Sequence, residues 1–367
     1  MRIEKGVISS SQLMFMTAAF VQGSSLLVAF TYAIAKHDTW LVVLSGFALI
    51  LPLIWVNVSL AQKFPGKNLV QIMDIVYGSF LGKLISAIYI LFPFQLIAHN
   101  LGFIGEFFLT YMYPETPLTV ILIMFVSVCI WAVRGGIEVI SRISAITVVI
   151  TFIVVAVTSL LLYKEMEFNN FLPVFELSMK EFIQGTHIMM AIPYGELVVF
   201  LMIIPYLNKI KQAKSSVFLG LIFGAATLLI ITVTDIAALG VLATVMVSPA
   251  LEAVRLIDIA KIITRMEMLV AVVLLITVFI KVCVTLYASV LGIAQLFRLR
   301  SYRPLVLPIG IISVSFTVLL FDHVSEPAIM GATIWPSHAF LYLPIPVLTL
   351  LIAKIRKLPQ KHGGENK

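Results

Sequence analysis

The chain alternates long apolar runs with short polar joints. A helix needs about 20 mostly apolar residues to cross the hydrocarbon core of a bilayer. Runs of that kind predict spans at 8–35, 40–62, 80–112, 117–134, 143–163, 183–206, 215–242, 266–297, 304–321 and 335–356. The fold class is therefore all-α: a polytopic membrane protein of about ten transmembrane helices. No soluble domain fits between the spans, so residues 1–367 form one integral membrane domain with a polar tail at 358–367. Ser9 and Gln12 have the spacing of a capping box and mark the start of the first helix. The first apolar stretch, 13–35, exceeds the core of a cleavable signal and lacks a small-residue cleavage site after it, which predicts a retained span.

Most spans are unbroken Leu, Ile, Val and Phe. Two are not. The first carries Gln22-Gly23-Ser24-Ser25 near its middle, and the sixth carries Ile192-Pro193-Tyr194-Gly195-Glu196. Pro193 removes a backbone donor and clashes with the preceding turn. Gly195 tolerates the dihedrals of an unwound segment. Interruptions at corresponding positions of two halves point to inverted repeats around a site at the membrane midplane. Half-helix N-termini offer N–H groups to an anion, and half-helix C-termini offer carbonyls to a cation. A zwitterionic amino acid matches that pairing. The competing reading is that Pro and Gly are common in membrane helices.

Ionisable groups at membrane depth are expensive and point to function. Lys281 lies near the centre of the eighth span, too far from either end to snorkel. It is expected to hold carbonyls freed by the first break, to couple protons, or to form a structural ion pair with Asp235 or Glu196. Glu196 is expected either to close the second break or to titrate with a ligand. Asp235 lies nearer the outer end of the seventh span. Asn100 and Phe103 share a helix face in the third span and are candidates to line a cavity. His99, Asn57 and His187 are expected to make ordinary interhelical hydrogen bonds.

Only 12% of the residues are charged and 61% are hydrophobic. The net charge of +7 reads as membrane topology, not as affinity for nucleic acid. With the N-terminus inside, eighteen of the 25 Lys and Arg fall on inner joints and six on outer ones, with Lys281 inside a span. That asymmetry places both termini on the cytoplasmic side. Two outer joints are long, 164–181 and 244–265. In the second, Ala253, Leu256, Ile257 and Ala260 share one face, opposite Arg255, Asp258 and Lys261, which predicts an amphipathic surface helix. Cys129 and Cys283 have neither disulfide nor metal-ligand spacing. No phosphate-binding loop, nucleophile elbow, zinc-binding or dinucleotide motif occurs, so neither an enzyme nor a bound cofactor is expected. Gly135-Gly136 reads as a loop turn.

Several segments in order carry a resemblance. They are Ile8-Ser9-Ser10-Ser11-Gln12-Leu13, Phe64-Pro65-Gly66-Lys67-Asn68-Leu69, Gly135-Gly136-Ile137-Glu138-Val139-Ile140-Ser141-Arg142 and Asn169-Asn170-Phe171-Leu172-Pro173-Val174. Pro193-Tyr194-Gly195-Glu196, Arg265-Met266-Glu267 and Phe279-Ile280-Lys281 complete the series. Over nearly its whole length the chain resembles the B subunit of GerA-type spore germinant receptors, a branch of the amino acid–polyamine–organocation transporter superfamily. The resemblance implies a LeuT-like fold with spans 1–5 and 6–10 as inverted repeats. It implies residence in the inner membrane of a bacterial endospore, a small germinant such as an amino acid, and association with an A subunit and a lipoprotein C subunit. By position it implies a ligand site at Gln22, Gly23, Ser24, Ser25, Asn100, Phe103, Tyr194, Gly195 and Glu196, with Lys281 as an ion- or proton-coupling group beside the first break. Related transporters often have Gly-x-Gly in span 1. Here Ser25 adds a side chain, which puts the usual ligand pose in doubt. A receptor subunit, a proton-coupled amino acid permease and an ion or water channel subunit all remain open readings.

Overall fold

The computed structural model describes residues 3–25, 29–257, 266–323 and 326–359. Helix α1 (Ser10–Gln22) opens with the expected reciprocal cap: the Ser9 N–H donates to Gln12 Oε1 at 2.7 Å and the Gln12 N–H to Ser9 Oγ at 3.2 Å. The chain becomes helical again at α2 (Ala29–Ala35), so the first predicted span is two half-helices. A short 3₁₀ turn joins α2 to α3 (Thr39–Lys63). Then follow α4 (Leu69–Tyr77), α5 (Ser79–Tyr111), α6 (Leu118–Gly135), α7 (Ile137–Leu161) and α8 (Met179–Met189). After a change of pitch at 190–202, the chain continues through α9 (Ala213–Leu239), α10 (Pro249–Arg255), α11 (Glu267–Leu296), α12 (Arg303–Leu320), α13 (Glu326–Ala332), α14 (Ala339–Tyr342) and α15 (Pro344–Ile355). Nine helical segments among the described residues are long and apolar enough to cross a membrane. The α2–α3 run counts as one of them, while α1, with 13 residues, is too short alone.

The boundaries depart from the hydropathy reading where polar residues sit inside a helix. Helix α7 begins at Ile137, not at 143. Gly136 turns the chain at φ +93°, a conformation that strains other residues, and the helix restarts at once. Glu138 and Arg142, read as a joint, form an ion pair within its first turns at 3.7 Å. Helix α4 was not expected at all. Asn68 and Gln71 cap it reciprocally, at 3.2 Å each way. At nine residues it is too short to span and packs beside α5. The predicted surface helix of 244–265 is shorter than expected. Helix α10 ends at Arg255, and Leu256 is exposed, not on the buried face with Ala253 and Ile257. Asp258, Ala260 and Lys261 lie outside the described residues.

Helix α11 is the centre of the bundle. It packs against α1, α5, α6, α7 and α12, and most of its length is buried. The outer helices instead expose large apolar side chains such as Phe80, Trp131, Leu160 and Leu319, as a lipid-facing surface does. Helix α1 lies closely against α9 through Gly220 and Gly224. A Cβ at Gly220 would sit 2.4 Å from the Met14 carbonyl oxygen, and one at Gly224 would sit 2.5 Å from Val21 Cβ. Small residues four apart let two backbones approach in this way.

The joints assigned by charge to one side meet one another. Ile8 bridges to the 206–208 segment, the Val7 N–H reaches Glu138 Oε1 at 3.1 Å, and Tyr302 donates to Glu4 Oε2 at 2.7 Å. At the other end, Asp38 accepts the N–H groups of Phe175 and Glu176, and Asn170 donates to the Ala237 carbonyl at 2.9 Å.

Candidate functional site

The site starts from the end of α1. Gly23 lies so close to α11 that a Cβ there would stand 2.9 Å from the Thr277 carbonyl oxygen and 3.1 Å from Lys281 Cβ. Close contact at Gly23 therefore sets the end of α1 against the turn of α11 that carries Lys281. The Lys281 ammonium is wholly buried. It pairs with Glu196 Oε2 at 2.6 Å, donates to Ser24 Oγ and lies 5.5 Å from the centre of the Phe20 ring. Trp335 Nε1 donates to Glu196 Oε1 at 3.2 Å. Burying two charges is tolerable only when each meets the other and further hydrogen bonds. Here the pair joins three elements: the end of α1, the turn after α8, and α11.

Of the two carboxylates that the sequence offered Lys281, Glu196 is the partner. Asp235 instead accepts from the Tyr32 hydroxyl at 3.0 Å. Among the described residues, Lys281 meets the Ser24 hydroxyl and the Glu196 carboxylate. A lysine reaches a fixed carboxylate with full charge complementarity, which a carbonyl dipole cannot match.

The second break is a change of pitch, not an unwound segment. Met190–Tyr194 form a π-helical turn, and Gly195–Met202 continue as 3₁₀ helix. Pro193 cannot donate, and the wider turn absorbs the loss, as bulges of this kind do inside helices. Tyr342 donates to the Ala191 carbonyl at 3.1 Å and Tyr89 to the Val198 carbonyl at 3.1 Å. Two tyrosines thus satisfy carbonyls within and just beyond the irregular turn.

The expected site residues divide into groups. Ser24, Glu196 and Lys281 meet, with Gly23 packed behind them. Asn100 and Phe103 line a small cavity with Glu196, His99, Phe30 and Trp335. It holds about 10 Å³, room for roughly one water. Asn100 Nδ2 donates to the Leu96 carbonyl at 2.6 Å, while its Oδ1, buried, finds no hydrogen-bond partner among the described residues. Phe103 lies 5.2 Å from Phe30, which closes the cavity on one side. Four other residues point elsewhere. Gln22 donates to Thr227 at 2.9 Å, and Ser25 lines a separate cavity beside Asp235. Tyr194 packs on α3, its ring against Phe47 and its hydroxyl 3.5 Å from the Val43 carbonyl. Gly195 faces Leu343.

His99 departs from the interhelical bond expected of it. Nδ1 lies 3.1 Å from the Gln95 carbonyl of its own helix, and the ring rests 4.0 Å from Trp335. His187 does bond across elements, to the Pro336 carbonyl at 3.1 Å. Sequence reasoning missed Trp335 and Phe30. Trp335 stood at a predicted span boundary, where tryptophan ordinarily reads as an interfacial anchor. No local signal marks it as a partner of Glu196.

A family described as "Spore germination protein" matches residues 7–323. "Spore germination protein KB" of Bacillus subtilis (strain 168) is 30% identical over 375 aligned positions, which cover 99% of each chain. "Spore germination protein YndE" of the same organism is 25% identical and covers 88% of this chain and 89% of its own. Among solved structures, a nucleobase–cation–symport-1 family transporter, closed with bromovinylhydantoin bound, superposes with a TM-score of 0.74 at 14% identity. That match covers 95% of this chain and 78% of the transporter. A manganese transporter from Eremococcus coleocola superposes with a TM-score of 0.60 at 14% identity, over 93% and 78% of the two chains. The bundle therefore has a LeuT-like fold.

Proposed function

The chain belongs to the spore germination protein family, and from that premise we propose that it is the membrane subunit of a spore germinant receptor. It binds a small nutrient, most simply an amino acid, between the broken first span and the turn that carries Glu196. The full-length similarity to spore germination protein KB carries the reading. The buried Lys281–Glu196 pair supports the location, because it fastens the end of α1 to the second break. Binding that favours one arrangement of these elements over another shifts their populations and so signals. Ser24, Glu196, Asn100 and Phe103 are the residues proposed to meet the ligand, and Lys281 is proposed to set the resting arrangement. Gln22, Gly23, Ser25, Tyr194 and Gly195 are proposed to shape the backbone around it. The cavity must open for an amino acid, since it now has room for about one water.

The same reading places the chain in the inner spore membrane, with both termini cytoplasmic, beside an A subunit and a lipoprotein C subunit. The Lys and Arg asymmetry supports the orientation. A second reading, a proton-coupled amino acid permease, is favoured by the transporter fold of the solved neighbours. Saturable uptake by the lone chain in proteoliposomes would favour the permease.

The test is thermal stabilisation of the purified chain in nanodiscs by panels of amino acids, sugars and nucleosides. A ligand that binds only the folded state raises its Tm by mass action. One chemical class is expected to stabilise the wild type and not Gly195→Leu, whose side chain would press on the Met190 carbonyl oxygen, 2.9 Å from the Cβ position. Equal stabilisation of both proteins would place the site away from the second break, and stabilisation of neither would remove it from this chain.

A further inference from the structure

A second cavity lies apart from the Lys281–Glu196 pair, between the C-terminal parts of α7 and α9, the first turns of α11, and α10. It holds about 50 Å³, room for a few water-sized groups. Its walls are mostly apolar, but Asp235 and Thr234 of α9, Thr158 and Ser159 of α7, and Ser25 at the first break all line it. Asp235 is 4% exposed. Its Oδ2 accepts from Tyr32 at 3.0 Å, and no hydrogen bond to Oδ1 and no ion pair is found among the described residues. Among the described residues, Tyr32 is the titratable side chain that bonds it.

A lone carboxylate at this depth requires a positive partner or a proton. A proton needs only one oxygen. The surroundings supply several more. Thr158 Oγ1 donates back to the Val154 and Val155 carbonyls, at 2.9 and 3.1 Å, and keeps its lone pairs free. Ser159 and Thr234 share one hydrogen bond at 3.1 Å, which leaves acceptor capacity on both. An all-oxygen set with one negative charge suits a small, hard cation. One carboxylate balances one charge, so the cation is monovalent.

We propose that this cavity is a sodium-sized monovalent cation site built on Asp235. Its occupancy reaches the first break by two routes. Tyr32, on α2, bonds the carboxylate directly, and Ser25 lines the cavity from the break itself. A cation here therefore fixes the α2 half-helix against α9, independently of any germinant.

The test is the Tm of the full-length chain in nanodiscs, at fixed pH and ionic strength, with sodium chloride replaced stepwise by choline chloride. Sodium is expected to raise the wild-type Tm in a saturable way, and Asp235→Asn is expected to lose that increment. Should Asp235→Asn fail to fold, Thr158→Val with Ser159→Ala removes neutral donors only. It is expected to raise the half-maximal sodium concentration about tenfold or more. Equal Tm in sodium and choline overturns the site, as does an increment that survives both variants. A Tm that follows pH but not the cation assigns Asp235 to a proton instead and also overturns it. No germinant is present in this assay, so its failure leaves the receptor reading untouched.

Discussion

Glu196 and Asp235 are both buried carboxylates inside spanning segments, and both are linked to the broken first span, but from opposite sides of the break. Glu196 has a lysine at 2.6 Å and a tryptophan N–H at 3.2 Å. Asp235 has one phenol and an adjoining cavity. The difference teaches how one fold can treat the same charge in two ways. A covalently attached cation makes the Glu196 region self-sufficient and holds three elements in one arrangement. A carboxylate without one leaves its region sensitive to what enters the cavity. The first is suited to be a latch, the second a port.

Removing the latch cation should have the largest effect. Lys281→Ala leaves Glu196 buried without its partner, a loss of about 3–5 kcal/mol in comparable buried pairs. The expected outcome is a protein that still reaches the membrane, with a strongly lowered Tm and no germination response. Lys281→Arg should rescue poorly, because the planar fork does not fit a site built for one ammonium. Lys281→Met combined with Glu196→Gln should recover most of the Tm without the response. Wild-type response from Lys281→Ala would erase the contrast with Asp235.

Pressing α1 away from α11 should come next. Gly23→Ala places a Cβ 2.9 Å from the Thr277 carbonyl oxygen, and overpacking of this kind costs about 1–3 kcal/mol. A lowered Tm with a weakened response is expected. An unchanged Tm would mean that the break absorbs the displacement freely.

Trp335→Phe removes the donor to Glu196 Oε1 and keeps the ring. A loss of about 1–2 kcal/mol is expected from a charged acceptor left short of one bond, read by the same thermal assay. Tyr32→Phe, the matching change, takes from Asp235 its hydrogen bond and should lose about 1–3 kcal/mol in choline. Its effect should shrink as sodium rises, whereas that of Trp335→Phe should not. Equal salt dependence of the two variants would sink the distinction between latch and port.

Much of this was legible in the chain. Hydropathy over 20-residue windows marks spans because a bilayer imposes one length on every helix. The positions of the irregularities at Gly23 and Pro193 are legible because Gly and Pro act through their own backbone, but the chain alone suggests an unwound segment at Pro193 where the structure has a change of pitch. The cap at Ser9 and Gln12 stands before a long apolar run and so marks a helix start, whereas the equivalent cap at Asn68 and Gln71 opens a nine-residue helix too short to leave a spanning signal. The start of α7 was misplaced because Glu138 and Arg142 look like a joint until their ion pair is seen.

What the sequence determined by itself are the properties carried by neighbours in the chain: the long apolar runs, the charge asymmetry, the positions of the two irregularities, and the presence of Lys281, Glu196 and Asp235 within apolar runs. What only the tertiary structure decided is who meets whom. Lys281 and Glu196 are 85 positions apart, and Glu196 and Trp335 are separated by 139. Nothing local selects Glu196 over Asp235 as the partner of Lys281. The choice follows from the packing of α1 on α9 and α11, where glycines let backbones close to within a side chain's thickness. That packing carries one carboxylate to the ammonium and leaves the other facing a cavity.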